Sequence, residues 1–271
     1  MKKASIIIPT KDKLSRLRLV LNALEHQINE EIEVLVIFDD CSDEVLRDFE
    51  NIKLSFEPIK IIYNQNIGRA KARNSGIMQA IGEIVIFLDD DRIPNPDFVN
   101  KHLNRHENGR YAIIGERSNI IYSEEKIEQF YHNEFGFSDF IQMEKNKIKE
   151  KYDFFEKIGQ RIFGQLLYSI SFTTGNSSVR RQDLIKVGMF DENYTGWGVE
   201  DVDLGYRLIK DGVKVISDYS IVNYHLIHPV DQKKKKDDFM RNYKYFLNKI
   251  NNDKIVKFLA KILYMCFPPY K

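Results

Sequence analysis

Ile84-Val85-Ile86-Phe87-Leu88-Asp89-Asp90-Asp91 is the stretch on which the fold turns: five apolar residues run into three carboxylates and then into Arg92-Ile93-Pro94-Asn95-Pro96. A short apolar run without alternation, rich in β-branched residues, predicts a central strand covered on both faces. Pro94 and Pro96 end it, because neither can donate to a ladder. Three adjacent carboxylates repel one another, so a cation is expected among them. Asp89 and Asp91, at alternate positions, suit a hard divalent ion, Mg²⁺ or Mn²⁺, that keeps open positions for the phosphates of a nucleotide. A solvated acidic turn after a strand is the other reading of the same residues.

Outward from this strand the chain alternates. Residues 4–8 read as a strand ending at Pro9-Thr10, and Leu17, Val20, Leu21 and Leu24 then recur at helical spacing. Glu33-Val34-Leu35-Val36-Ile37-Phe38 is the next strand; it too runs into carboxylates, Asp39-Asp40, with Cys41-Ser42-Asp43 as turn and helix cap. Residues 59–63 make a third strand, followed by a loop and helix over residues 64–82. Such alternation predicts an α/β fold on a single doubly wound, mostly parallel (Rossmann-like) sheet, with ligands beyond the carboxyl ends of its strands. Thr10, Asp39, Asp40, Asp89 and Asp91 collect at that edge. Farther on, residues 112–121 and 172–179 read as strands, 184–187 as a short helix, and 213–216 and 221–225 as two late strands. Residues 122–161 are charged and aromatic with poor periodicity, and read as a partly helical excursion: an exposed helix pair or a substrate-binding element.

With 271 residues the chain is long enough for a full core. Cys41 and Cys266 lie far apart with no zinc spacing nearby, which fits a reducing compartment and implies neither a disulfide framework nor a structural metal. No run of about 18 uninterrupted apolar residues occurs, so the expectation is a cytoplasmic protein without a membrane span. The net charge of +1 is unevenly spread: residues 232–271 hold eleven Lys and Arg against three Asp, leaving the body acidic. The body has no basic face that would call for nucleic acid, whereas the tail calls for an anionic partner.

Residues 194–208, Tyr-Thr-Gly-Trp-Gly-Val-Glu-Asp-Val-Asp-Leu-Gly-Tyr-Arg-Leu, form a second acidic centre. Gly196 and Gly198 flank the only tryptophan, Trp197, giving a loop able to close over a sugar. A helix N-terminus follows that stabilises Glu200, Asp201 and Asp203 as anions, which suits a carboxylate that accepts a proton. An acidic helix start beside a buried Trp is the plainer alternative.

Taken together, Ser5-Ile6-Ile7-Ile8-Pro9-Thr10, Phe38-Asp39-Asp40-Cys41-Ser42-Asp43, Asn66-Ile67-Gly68 with Ala72-Arg73-Asn74-Ser75-Gly76, and Phe87-Leu88-Asp89-Asp90-Asp91 resemble, in order, the family 2 glycosyltransferases of GT-A fold. Gly196-Trp197-Gly198-Val199-Glu200-Asp201 resembles the Trp-Gly-x-Glu-Asp segment of β-1,4-galactosyltransferases, polypeptide N-acetylgalactosaminyltransferases and chondroitin-type polymerases. The resemblance covers residues 4–229. It implies a GT-A domain over 1–231, with a nucleotide-binding half (1–110) and an acceptor-binding half (111–231), followed by a basic amphipathic helical tail (232–271). By the same resemblance Asp40 hydrogen-bonds the uracil of a UDP-sugar, with Pro9 and Thr10 lining that pocket. Asn66 lies in the nucleotide loop, and Arg73 and Asn74 support the donor unless Arg73 is an ion-pair partner of Asp89. Asp91 is implied as the direct metal ligand, with Asp89 nearer the ribose and Asp90 a third carboxylate where relatives often carry a small residue. His225, in Tyr224-His225-Leu226-Ile227-His228-Pro229, would complete the metal site, with His228 as its rival. Asp201 falls at the position of the base, Glu200 at that of a sugar-holding carboxylate, and Gly175-Asn176 beside the donor sugar.

The implied activity is metal-dependent, inverting transfer of a hexose or N-acetylhexosamine to a hydroxyl of a glycan, lipid-linked glycan or protein. Retaining transfer to a polypeptide, or a non-catalytic sugar-nucleotide-binding module, are the alternatives. A nucleotidyltransferase would want a glycine-rich loop after the first strand, where Pro9-Thr10-Lys11-Asp12-Lys13 has no glycine. In the tail, lysines alternate with Phe239, Phe246, Ile255, Phe258 and Ile262. That pattern fits peripheral contact with the inner face of a membrane, or packing on the domain or on a second copy.

Overall fold

The computed structural model describes residues 2–132, 136–148 and 164–266. Strands β1 (Ala4–Thr10), β2 (Ile32–Asp39), β3 (Ile59–Tyr63) and β4 (Ile84–Leu88) alternate with helices α1 (Leu14–Leu24), α2 (Asp43–Glu50) and α3 (Arg69–Gln79). After them come β5 (Arg92–Pro94), α4 (Phe98–Arg105), β6 (Tyr111–Ile120), α5 (Glu124–His132), α6 (Phe137–Asn146) and α7 (Gln165–Ser171). The chain continues through β7 (Asn176–Arg180), α8 (Arg181–Lys186), α9 (Glu200–Lys210), β8 (Lys214–Leu226), α10 (Gln232–Lys249) and α11 (Lys254–Cys266).

One sheet runs β3-β2-β1-β4-β7-β6-β8-β5. Its first four strands are parallel; β7 is antiparallel to β4 and β6, β8 is parallel to β6, and β5 is an antiparallel edge. Both faces are covered, as unbroken apolar strands require. Ile6, Ile8, Val34, Val36, Ile84, Ile86 and Leu88 pack towards α1 and α4 on one side. Their alternates Ile7, Leu35, Ile37, Val85 and Phe87 pack towards α3, α8 and α9 on the other. Phe87, 1% exposed, meets Phe190 edge to face at 5.4 Å; truncating such a residue to Ala costs about 3–5 kcal/mol.

Three local expectations change. The two late strands are one, β8, because residues 219–221 are a bulge: Gly115 pairs Asp218 while Glu116 pairs Val222. Asn176 holds the bulge, its amide donating to the carbonyls of Glu116 (2.7 Å) and Ile221 (3.0 Å). The strand read from residue 172 begins at Asn176, and α7 precedes it. Within the aromatic excursion α5 and α6 are helices, while Phe135, Tyr152, Phe154 and Phe155 lie outside the described residues.

The tail does not stand apart from the core. Phe239 and Phe246 of α10, Ile250, and Val256 and Ala260 of α11 form a third apolar cluster with Ile170, Tyr194, Val199 and Val202.

Candidate active site

The carboxyl ends of β1, β2 and β4 open into a cleft of about 790 Å³. Its wall includes Pro9, Thr10, Asn66, Arg73, Asp89, Asp90, Asp91, Trp197 and His225; Asp40, Gly175, Glu200 and Asp201 are not among the lining residues. At the end of β2 Asp39 is used structurally. Its two oxygens accept from the backbone N–H groups of Ile67 (2.6 Å) and Gly68 (3.1 Å), which fixes the loop that starts α3. Asp40 adopts a left-handed backbone (φ 60°), and its half-exposed carboxylate meets the Lys11 ammonium at 2.8 Å.

The three consecutive carboxylates go three ways. Asp89 turns to arginine, accepting from Arg73 Nη2 (3.0 Å) and Arg92 Nε (3.4 Å). Burial alone would raise its pKa, but those two guanidiniums hold it below the usual carboxylate range. Asp90 accepts from Thr10 Oγ1 at 2.8 Å, yet burial and its acidic neighbours push it up to about 6. Asp91 faces the end of β8. Although burial works against its charge, His228, Lys13, His225 and Arg92 hold its carboxyl well below the usual range.

A lysine also reaches these carboxylates, Lys13. Its ammonium lies 2.8 Å from Asp91 Oδ2, 3.3 Å from Asp90 Oδ1 and 3.3 Å from His228 Nε2. His225 and His228, rivals in sequence, both belong to this cluster: His228 Nε2 is 3.3 Å from Asp91 Oδ2, and His225 Nε2 is 3.8 Å from Asp91 Oδ1. The Nδ1 atom of His228 lies 3.0 Å from the Pro229 carbonyl, which only accepts, so Nδ1 carries the proton. His225 Nδ1 likewise donates to Asn119 Oδ1 at 2.9 Å. Both Nε2 atoms thus face Asp91 with the opposite ring nitrogen held by a hydrogen bond, the second-sphere arrangement that orients histidine for a metal. Burial, with Arg92 alongside, pushes His225 down to about 4, so it is a neutral imidazole at pH 7. One carboxylate and two imidazole nitrogens, all within 4.8 Å of one another, fit a divalent cation that accepts nitrogen as well as oxygen.

A second set of carboxylates lies behind Arg73. This fully enclosed guanidinium bridges Asp89 and Glu200 (Nη1 to Oε1, 3.2 Å). Asp201, at the start of α9, has no ion-pair partner among the described residues; it accepts from the Val202 N–H (2.9 Å) and the Thr174 N–H (3.4 Å). Burial, with Glu200 adding repulsion, pushes its pKa up to about 7. Asn74 is not at the donor edge but holds the loop before α9, exchanging hydrogen bonds with the Phe190 backbone at 2.9 Å.

The Trp197 loop is built by α10. Asp238 accepts from the Trp197 N–H (3.2 Å), and Asn242 donates to the carbonyls of Thr195 (3.0 Å) and Gly198 (2.8 Å). Gly196 has φ +74°, and a Cβ there would lie 2.2 Å from the Asp238 carboxylate, so only glycine fits. Lys235 Nζ sits 4.4 Å from the Trp197 ring centroid, and Lys234, Lys235 and Asp238 line the cleft. Lys13, Arg92, Arg117 and these α10 residues are site groups that motif reading passes over. The one signal pointing to them is the excess of carboxylates, which demands cations.

The mostly parallel sheet with an acidic strand end facing two histidines is the arrangement expected of a glycosyltransferase of GT-A fold, and comparison with known proteins bears out that class. The profile described as "Glycosyl transferase family 2" matches residues 5–188, and the chain belongs to that family. A second profile, "N-terminal domain of galactosyltransferase", matches residues 161–228. The chain is 30% identical to the uncharacterized glycosyltransferase YfnE of Bacillus subtilis, over 92% of this chain and 71% of that one. It is 29% identical to the validoxylamine A glucosyltransferase of Streptomyces hygroscopicus, over 77% of this chain but only 52% of that protein. With the chondroitin synthase of Escherichia coli the identity is 26%, over 82% of this chain and 34% of the relative. Among solved structures, TarS of S. aureus in complex with UDP superimposes with a TM-score of 0.65 at 18% identity, over 98% of this chain and 72% of that one. A mannosyltransferase from Pyrobaculum calidifontis, in complex with GDP-Man and Mn²⁺, gives 0.65 at 14% identity, over 91% and 64%. These likenesses place the fold.

Proposed function

We propose that the chain is a Mn²⁺-dependent, inverting glycosyltransferase that moves a hexose or N-acetylhexosamine from a UDP-sugar to a hydroxyl of a glycan, lipid-linked glycan or protein. The observation that carries this reading is the convergence of Asp91, His225 and His228 beside the nucleotide edge. Imidazole donors favour Mn²⁺ over Mg²⁺, which prefers oxygen. A cation held there neutralises charge developing on the leaving diphosphate. Pro9, Thr10 and Asn66 line the nucleotide end, and Asp40 is exposed at the end of β2 to meet uracil.

Asp201 takes the proton from the acceptor hydroxyl. Glu200 is committed to Arg73, whereas Asp201 has no ion-pair partner among the described residues and titrates at about 7, as a general base should. Its backbone partner Thr174 precedes Gly175, whose missing side chain leaves room for Asp89 and Arg92 on the cleft wall. Trp197 offers an aromatic face to the sugar. Incubation with a panel of radiolabelled UDP-sugars tests the assignment: sugar transfer or hydrolysis should appear with Mn²⁺ and vanish with chelator. Turnover of GDP-sugars only, or metal-independent turnover, contradicts it.

The tail adds a place of work. Ile255, Phe258 and Ile262, 65%, 62% and 41% exposed, form one stripe of α11 whose opposite face is buried on the domain, and Lys254, Lys257 and Lys261 flank it. A basic helix with an outward apolar stripe fits peripheral attachment to an anionic leaflet. No helix among the described residues is long and apolar enough to cross a membrane.

A further inference from the structure

Beyond the metal cluster, on the side away from the nucleotide edge, two arginines line the cleft without enough carboxylates to hold them. The register of the sheet puts them together. Arg92 of β5 pairs with His225 of β8, which pairs with Asn119 of β6; one step along, Asn223 pairs with Arg117. Paired residues share a face, and alternate residues return to it, so Arg92, Arg117, Asn119 and His225 stand on one surface. Both arginines line the cleft.

Neither is fully satisfied among the described residues. Arg92 has one carboxylate contact, a 3.4 Å hydrogen bond to Asp89, which already takes Arg73 at 3.0 Å. Its Nη1 atom is buried with no hydrogen-bond partner among the described residues. Arg117 makes no hydrogen bond or ion pair with a described residue, and its neighbour Glu116 is engaged by Ser118 (3.2 Å) and Lys147 (3.9 Å). A guanidinium with one buried nitrogen left unpaired, and a second guanidinium on the same face across β8, is costly unless an anion comes between them.

We propose that Arg92 and Arg117 form an anion-binding subsite, and that the acceptor presents a carboxylate or phosphate there, close to the hydroxyl that receives the sugar. The proposal rests on the glycosyltransferase reading and names its acceptor class. Position separates this anion from the donor's diphosphate. Thr10, Asp39 and Asn66 belong to the β3-β2-β1-β4 side of Asp91, whereas Arg117 lies on β6, two strands beyond β4.

The test uses the full chain saturated with UDP and Mn²⁺, so that failure to bind UDP is read separately as failure of the parent reading. Glucose 6-phosphate and methyl glucuronide are titrated calorimetrically against glucose and methyl glucoside. The charged members should bind at least tenfold more tightly, Arg117→Gln should remove that preference, and Arg117→Lys should restore part of it while Arg117→Gln retains wild-type UDP affinity. Equal binding of charged and neutral sugars overturns the proposal. So does a loss of UDP affinity in Arg117→Gln, which would assign the arginines to the diphosphate. A preference for UDP-glucuronate over UDP-glucose that depends on Arg117 also overturns it, by placing the anion on the donor.

Discussion

Asp201 and Glu200 are neighbours with the same functional group, and their surroundings give them different chemistry. Glu200 is tied to Arg73; Asp201 has no ion-pair partner among the described residues and is raised to about 7. Asp201→Asn should keep UDP binding and lose transfer by about 10²–10⁴, the usual cost of removing a general base. Wild-type turnover should rise with pH through about 7 as Asp201 ionises. Stability carries the opposite sign. The folded protein holds this proton more tightly than the unfolded chain does, so the wild type loses stability as pH rises from about 4 to about 7. Asp201→Asn should therefore be more stable than wild type at pH 8 by on the order of 2–4 kcal/mol, with the gap closing by pH 4 in thermal melts. At the metal cluster, His225→Ala and His228→Ala should each weaken Mn²⁺ binding at least tenfold, since both Nε2 atoms face Asp91. Unchanged affinity in either variant would remove that histidine from the site. That Asp89 to Asp91 and the two histidines come together was legible because they stand at the ends of recognisable apolar strands. Lys13, Arg92 and Arg117 were not, because what recruits them is unbalanced charge across distant strands, which no local pattern records.

At the scale of elements, β1 to β4 were legible almost to the residue, since short apolar runs bounded by turn residues or carboxylates have few other readings. The break read between residues 216 and 221 is a bulge instead. The Ile221 and Glu116 carbonyls at the bulge accept from Asn176 of β7, and Asp218 accepts from the Ser220 N–H at 2.9 Å. A tertiary contact of this kind has no sequence period. The loop bearing Trp197 shows the same limit: its glycines announce freedom, but α10 fixes it through Asp238 and Asn242. Asn242, 2% exposed, serves three carbonyls of that loop. Asn242→Ala should cost roughly 1–3 kcal/mol, the penalty for buried carbonyls left unsatisfied. Because Trp197 is the only tryptophan, its fluorescence reads the loop directly. The variant should shift the emission and blunt its response to UDP-sugar while leaving UDP affinity near normal. Unchanged emission and response would show that α10 does not set the loop.

Across the whole molecule, the charge asymmetry seen in the sequence resolves into two surfaces: α10 turns Lys234 and Lys235 to the cleft, and α11 turns Lys254 and Lys261 to solvent beside Ile255 and Phe258. Sequence periodicity shows an amphipathic tail but cannot say which apolar face is taken by the domain, and the third cluster decides that for Phe239, Phe246 and Val256. Sedimentation with anionic liposomes at low salt should pellet the protein, and the double variant Phe258→Glu, Ile262→Glu should remain in the supernatant with its fold intact. Equal pelleting of both would contradict membrane attachment through α11. In the proposed function the nucleotide and a metal share the Asp91, His225 and His228 cluster, the diphosphate supplying further ligands. Calorimetric titration of UDP into the protein with Mn²⁺, and again after chelation, tests it most directly: the account predicts binding at least tenfold tighter with the metal, and equal affinity under the two conditions would contradict it.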